Sequence, residues 1–206
     1  MRMILDANPL LDEHNTPISQ TQDAHIRMCN GFGKGMASLA DYYALAKSGN
    51  KALILSVRED MNSYYDSHNS IICGERIFCE PDSLDDRVVR YFGSTVIKPV
   101  EMSFLIFEEY GGGPTLGSVL CSKGGLDLFQ FLFKTHDNAR TIDEYYSLLS
   151  GESSDETRVM SASHLGRKEY PSRSICLYNN EDFAYIFLGA NLSDCGRSRA
   201  MRLEQR

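Results

Sequence analysis

No apolar run in this 206-residue chain approaches the ~20 residues a helix needs to cross a bilayer, so a membrane-spanning helix is not expected. The opening Met1-Arg2-Met3-Ile4-Leu5-Asp6 has no apolar signal-peptide core, so synthesis in the cytoplasm and reduced thiols are expected. Basic charge is scarce. Against 28 Asp and Glu stand 21 Lys and Arg, a net charge of -7 with a pI near 5.2. That balance argues against a nucleic-acid partner, whose phosphates require a basic face. The six cysteines form no Cys-x-x-Cys pair and no His pair completes a zinc set, so neither a structural metal nor a cofactor is expected. Internal repeats and low-complexity tracts are missing too.

What is present fits one medium domain with a core of its own: 42% of residues are hydrophobic and 24% charged. Residues 1–23, with Asn8-Pro9, Asn15-Thr16-Pro17 and a Ser/Gln/Thr run, read as a flexible polar leader. Residues 24–193 read as a single α+β domain, and residues 194–206 as a charged tail. Met36, Leu39, Ala40, Tyr43 and Ala46 follow helical spacing up to a stop at Ser48-Gly49-Asn50. Lys51 to Val57 is a short apolar run of strand type, and residues 58–70 read as a helix or an exposed loop.

A helix capped by Ser83, a central strand over Met102 to Phe107 and a loop at Gly111-Gly112-Gly113-Pro114 follow. Gly125 to Thr135 is apolar enough for a buried helix. Thr141-Ile142-Asp143-Glu144 fits a capping box for another, closed by Gly151. Three strands come last: residues 158–164, 174–178 and 183–188, the latter two joined by a turn at Asn179-Asn180-Glu181-Asp182. Cys121 and Cys176, in apolar company, read as small core residues. Helices first and strands last predict a helical N-terminal half packed on a C-terminal antiparallel sheet.

Chemistry converges on Cys29. In Met28-Cys29-Asn30-Gly31-Phe32-Gly33-Lys34-Gly35 a thiol precedes glycines that open the way to a helix. At a helix N-terminus, unpaired N–H groups and the dipole would favour the thiolate. Packing beside a glycine turn is the plainer alternative. A nucleophilic cysteine needs a base and a group to orient it. His164, 135 positions on, is the candidate base, with Asp182, Asn179 or Asn180 as orienter. An exposed strand-end histidine beside Gly166-Arg167-Lys168 is the competing reading for His164.

His136 reads as a solvated helix end, and His14, His25 and His68 sit in polar surroundings. On a strand, His25 would stand about 13 Å from Cys29. Gly31 to Gly35 fails the Walker A spacing, no G-x-G-x-x-G is present, and Glu108-Glu109 is no facing carboxylate pair.

Met28-Cys29-Asn30-Gly31-Phe32-Gly33 with Met36 resembles the nucleophile segment of YopT-type papain-like effector cysteine proteases. Ser174 to Tyr178 and Tyr185 to Asn191 look like that family's closing hairpin. The resemblance implies a papain-like fold and a secreted virulence effector. Such an effector is a hydrolase made in the cytoplasm and translocated into a host cell. There it acts as a protease or glutamine deamidase on a partner protein. Arg173 stands where the family's histidine would fall and Gly189 where its aspartate would. Either the base has moved to His164 with Asp182 as orienter, or the cleft only binds. Two functions therefore remain: a thiol hydrolase with Cys29, His164 and Asp182 as catalytic residues, or a non-catalytic protein-binding module. The second would be an immunity protein or a catalytically dead effector.

Overall fold

Local capping decides much of the first half of the chain. Ser38 and Asp41 form a reciprocal capping box: the Ser38 amide donates to the Asp41 carboxylate at 2.8 Å, and the Asp41 amide donates to Ser38 Oγ. Helix α2, Leu39–Ser48, starts there and ends at Gly49, whose φ of 70° supplies the left-handed stop. The computed structural model describes residues 2–62, 65–73, 76–80, 99–101, 114–161, 172–179, 184–190 and 195–204.

Asn50 then accepts from the Leu53 amide at 3.2 Å and opens helix α3, Lys51–Met61. The strand expected over residues 51–57 is therefore a helix. Its apolar run is too short to separate the two by pattern, but the Asn50 cap and the continuation to Met61 decide it. Ile54, Val57 and Met61 fall on one buried face.

Thr115 caps helix α4, Leu116–Cys121, and Ser122 caps helix α5, Lys123–Leu132, the buried helix expected from its apolar density. The two meet at Gly125, where an added Cβ would lie 2.1 Å from the Val119 carbonyl oxygen. Helix α6, Ala139–Ser150, exists as expected and ends at Gly151 with φ 94°. Its cap is Asn138 rather than Thr141, because the Asn138 side chain accepts from the Thr141 amide at 3.0 Å. Cys121 is exposed, contrary to expectation, whereas Cys176 is buried as expected.

The strands form a six-stranded sheet in the order β6-β5-β4-β8-β9-β7. These are β4 (Tyr65–Cys73), β5 (Arg76–Glu80), β6 (Pro99–Glu101), β7 (Thr157–Ser161), β8 (Ser172–Asn179) and β9 (Ala184–Ala190). Strands β8 and β9 pair antiparallel, with Asn179 opposite Ala184, as the sequence pattern foretold. Between Ser174 and Ile175 the register slips, leaving Gly189 as the extra residue of a bulge. Strand β7 joins β9 in parallel, so the sheet is mixed rather than antiparallel. Strands from residues 65–101 share it, so the division into a helical half and a sheet half does not hold. The class is mixed α+β. Helices α2 to α6 pack a common core with β7, β8 and β9, in which Tyr42, Phe129, Tyr146, Ile175 and Ile186 are fully enclosed.

Both ends of the chain are built in. Strand β1, Arg2–Leu5, pairs with β11, Ala200–Glu204, and β11 pairs with β3, Gly35–Met36. Strand β2, Gln20–Thr21, pairs with β10, Cys195–Gly196. Between them Leu10 donates to the Ser198 carbonyl at 2.8 Å and accepts from Ile18 at 2.9 Å. The expected leader, 1–23, and the expected tail, 194–206, are thus partners in one structural unit over their described residues. Polar composition hid this, because each strand is short and its partner lies at the other end of the chain.

Gly125→Ala is expected to destabilise the protein by about 3 kcal/mol, since the methyl would meet backbone that cannot move aside. Gly31→Ala, with open space around its Cβ, should be neutral or slightly stabilising. Chemical denaturation of both variants checks the contrast.

Candidate functional site

Helix α1, Gln22–Gly31, carries Cys29 in its last turn. The glycines after it terminate this helix instead of opening the next. The Lys34 amide donates back to the Cys29 carbonyl at 2.9 Å and the Gly33 amide to the Asn30 carbonyl at 3.0 Å. Gly33 has φ 66°. This pair of bonds with a left-handed glycine is the Schellman ending of a helix. Gly33 in the left-handed region, with Lys34 next to it, marks a helix stop and not a helix start.

The consequences for the thiol are electrostatic. At a helix C-terminus the dipole presents negative charge, which disfavours a thiolate. Cys29 is fully buried, in a small cluster with Leu10, Met36 and Ala200. Burial pushes its pKa up to about 11; Lys34 pulls it down, and Asp6 adds to the rise. Lys34 and Asp6 are themselves an ion pair at 2.7 Å, so the cation's help is largely cancelled. Cys29 therefore sits at the C-terminal end of α1 and not at the helix start that the sequence suggests, and burial favours its protonated form.

His25 lies one turn earlier on the same helix face, and residues so spaced stand about 5–6 Å apart at Cβ. It is fully buried, not in the polar surroundings expected from sequence. Neither ring nitrogen makes a well-formed hydrogen bond, although the Ile18 backbone lies near enough to favour the charged form slightly. Burial outweighs this and lowers its pKa, which favours the neutral ring. His164 and Asp182 lie outside the described residues. Among the described residues no group of three or more His, Cys, Asp or Glu side chains is arranged to hold a metal ion.

Beside this cluster, Arg199 joins three parts of the chain. Its side chain is fully enclosed. The guanidinium donates to both the Asp6 carbonyl (3.2 Å) and the Ala7 carbonyl in the N-terminal segment. On α3 it donates to Ser56 Oγ at 2.8 Å, and through two nitrogens to the Asp60 carboxylate. Its own backbone carbonyl accepts from the Ala37 amide at 2.9 Å. No spacing rule could pair Arg199 with Asp60, which lie 139 positions apart.

A second polar cluster joins α2 to α6. Asp137 accepts from Lys47 Nζ at 2.7 Å and from Tyr43 Oη at 2.9 Å. The Lys47 bond first, then that from Thr135, holds the Asp137 carboxyl down at about 2. Burial and this carboxylate push the Tyr43 hydroxyl well above its ordinary range. Comparison with protein families, with curated proteins and with solved structures returns no match for this chain.

Native-state labelling with iodoacetamide at pH 6 is expected to modify exposed Cys121 well before Cys29 or Cys176. Earliest labelling at Cys29 would restore the nucleophile. His25 gives a pH signature. Its folded pKa lies below the unfolded value, so its neutral burial is fully tolerated above about pH 6.5. Below that the unfolded chain binds the proton more readily, and stability falls by up to roughly 1.4 kcal/mol per pH unit. His25→Leu should flatten that slope in denaturation series between pH 5 and 7.

Proposed function

We propose that this chain is a non-catalytic protein-binding module rather than a papain-like thiol hydrolase. The observation that carries the reading is the state of Cys29: sealed, protonated and at the negative end of its helix. A hydrolase of the papain type needs a thiol open to substrate and a helix N-terminus behind it. Here the enclosed His25–Cys29 face would have to be pulled out of the fold before it met an amide.

The outer surface supports binding instead. Leu55 on α3 is 53% exposed and Leu148 on α6 is 51% exposed. Arg58, one turn after Leu55, donates to the Leu148 carbonyl at 2.8 Å, which brings the two helices together at this place. Exposed Glu59 and Glu144 lie on the same two helices. Apolar anchors flanked by an arginine and rimmed by charge are the usual energetic centre of a protein contact. With a chain charge of -7, the matching partner is a protein whose surface is basic around an apolar patch.

The test is crosslinking through exposed Lys51, one turn before Leu55, using tagged chain in its native cells. Lys51 is expected to crosslink to one basic protein. The crosslink should persist in Cys29→Ser and fall at least about tenfold in Leu55→Asp/Leu148→Asp, because an aspartate would be desolvated in the contact. Loss of the crosslink in Cys29→Ser, with retention in the double variant, would return the account to a thiol hydrolase.

A further inference from the structure

The Lys47 cluster has the geometry of a cation receptor already holding a tenant. Tyr43 and Tyr145 meet edge to face at 90°, their ring centroids 5.8 Å apart. Lys47 Nζ sits 5.6 Å from each centroid while it donates to Asp137 at 2.7 Å. Two ring faces and one carboxylate converging on an ammonium is the arrangement by which proteins bind alkylammonium ligands.

The walls are rigid. Phe133 stacks on Tyr43 at 4.6 Å with ring planes 4° apart, and the Tyr43 hydroxyl is tied to Asp137. Asp137 is fixed at its backbone, its amide donating to Thr135 Oγ1 at 3.2 Å and its carbonyl accepting from Gln130 at 2.9 Å. The tenant is not rigid. The Lys47 side chain is 41% exposed, lies in the last turn of α2 and has four rotatable bonds. The Asp137 side chain is 24% exposed, so the cage opens to water. A preorganised receptor with a flexible internal ligand exchanges that ligand by a rotamer change, without unfolding.

We propose that Tyr43, Tyr145 and Asp137 form a binding site for an external alkylammonium group, with Lys47 as its built-in plug. The ligand is a lysine-type side chain or a small quaternary amine; each presents a positive charge to the same rings, and the former can also donate to Asp137. The site stands independently of the Leu55–Leu148 contact, since it is tested with small probes alone.

The experiment titrates full-length protein by two-dimensional amide NMR with tetramethylammonium chloride and, separately, with Nα-acetyl-lysine methylamide. Sodium chloride at equal ionic strength is the control. Lys47→Ala, at an exposed side chain, unplugs the cage; Lys47→Gln keeps the stem and serves as a second unplugged variant. Both variants should give saturable shifts at Tyr43, Asp137 and Tyr145. Wild type should bind about tenfold more weakly, and adding Tyr145→Ala to Lys47→Ala should cost about tenfold. Saturation by only one probe identifies which source of the cation the cage fits. If neither unplugged variant shows shifts beyond the sodium control, or if Tyr145→Ala leaves binding unchanged, the cage is a structural contact of Lys47 alone.

Discussion

The constraint on which this structure depends is a guanidinium with no access to water. Arg199 is wholly enclosed, and a buried cation is tolerated only when its donors are met. Here they are met from three directions, by the Asp60 carboxylate, the Ser56 hydroxyl, and the carbonyls of Asp6 and Ala7. These acceptors belong to two stretches of the chain, the N-terminal segment and α3, and the arginine itself to a third. Satisfying one side chain therefore obliges the first residues, helix α3 and the last strands to meet at one point. The β1–β11–β3 sheet and the β2–β10 pair are short ladders that would be marginal alone. Arg199 ties them to the larger core.

That arrangement also explains the thiol. Helix α1 is held between β2 and β3, strands that pair with the same C-terminal segment that carries Arg199. Its inner face, His25 and Cys29, is thereby turned inward and dried. Drying acts on both groups in the same direction chemically, toward the uncharged form: the thiol keeps its proton and the imidazole stays without one. A Cys–His pair one helical turn apart looks like an ion-pair candidate on paper. Burial makes it a packing pair instead.

What sequence reasoning could reach was local. Helix α2 was legible because its apolar spacing ends at a glycine that must take a left-handed conformation, and the β8–β9 hairpin because two short apolar runs flank a polar turn. Helix α3 was not. Lys51 to Val57 is as good a strand as a helix until the Asn50 cap is seen. The glycines after Cys29 were visible, but whether they close one helix or open another depends on where α1 begins, in a stretch too polar to show periodicity. Strands at the two termini, the parallel placement of β7, and the Arg199–Asp60 pair are long-range facts. Nothing at either end of such a pair marks the other. Tyr43, Lys47 and Tyr145 lay within helices the sequence revealed, yet the meeting of both rings and Asp137 at Lys47 needed the packing of α2 against α6.

Arg199 fastens both ends of the chain to the core. Native-state hydrogen exchange on Arg199→Met probes that fastening at the amides that cross this junction. Asp6 donates to Ala200, Leu10 to Ser198 and Ala37 to Arg199, while Phe133 donates to Phe129 within the helical core. Asp6, Leu10 and Ala37 should lose at least about tenfold more protection than Phe133, because the terminal unit opens before the core does. Equal loss at all four amides, or none at the first three, would contradict that role of Arg199.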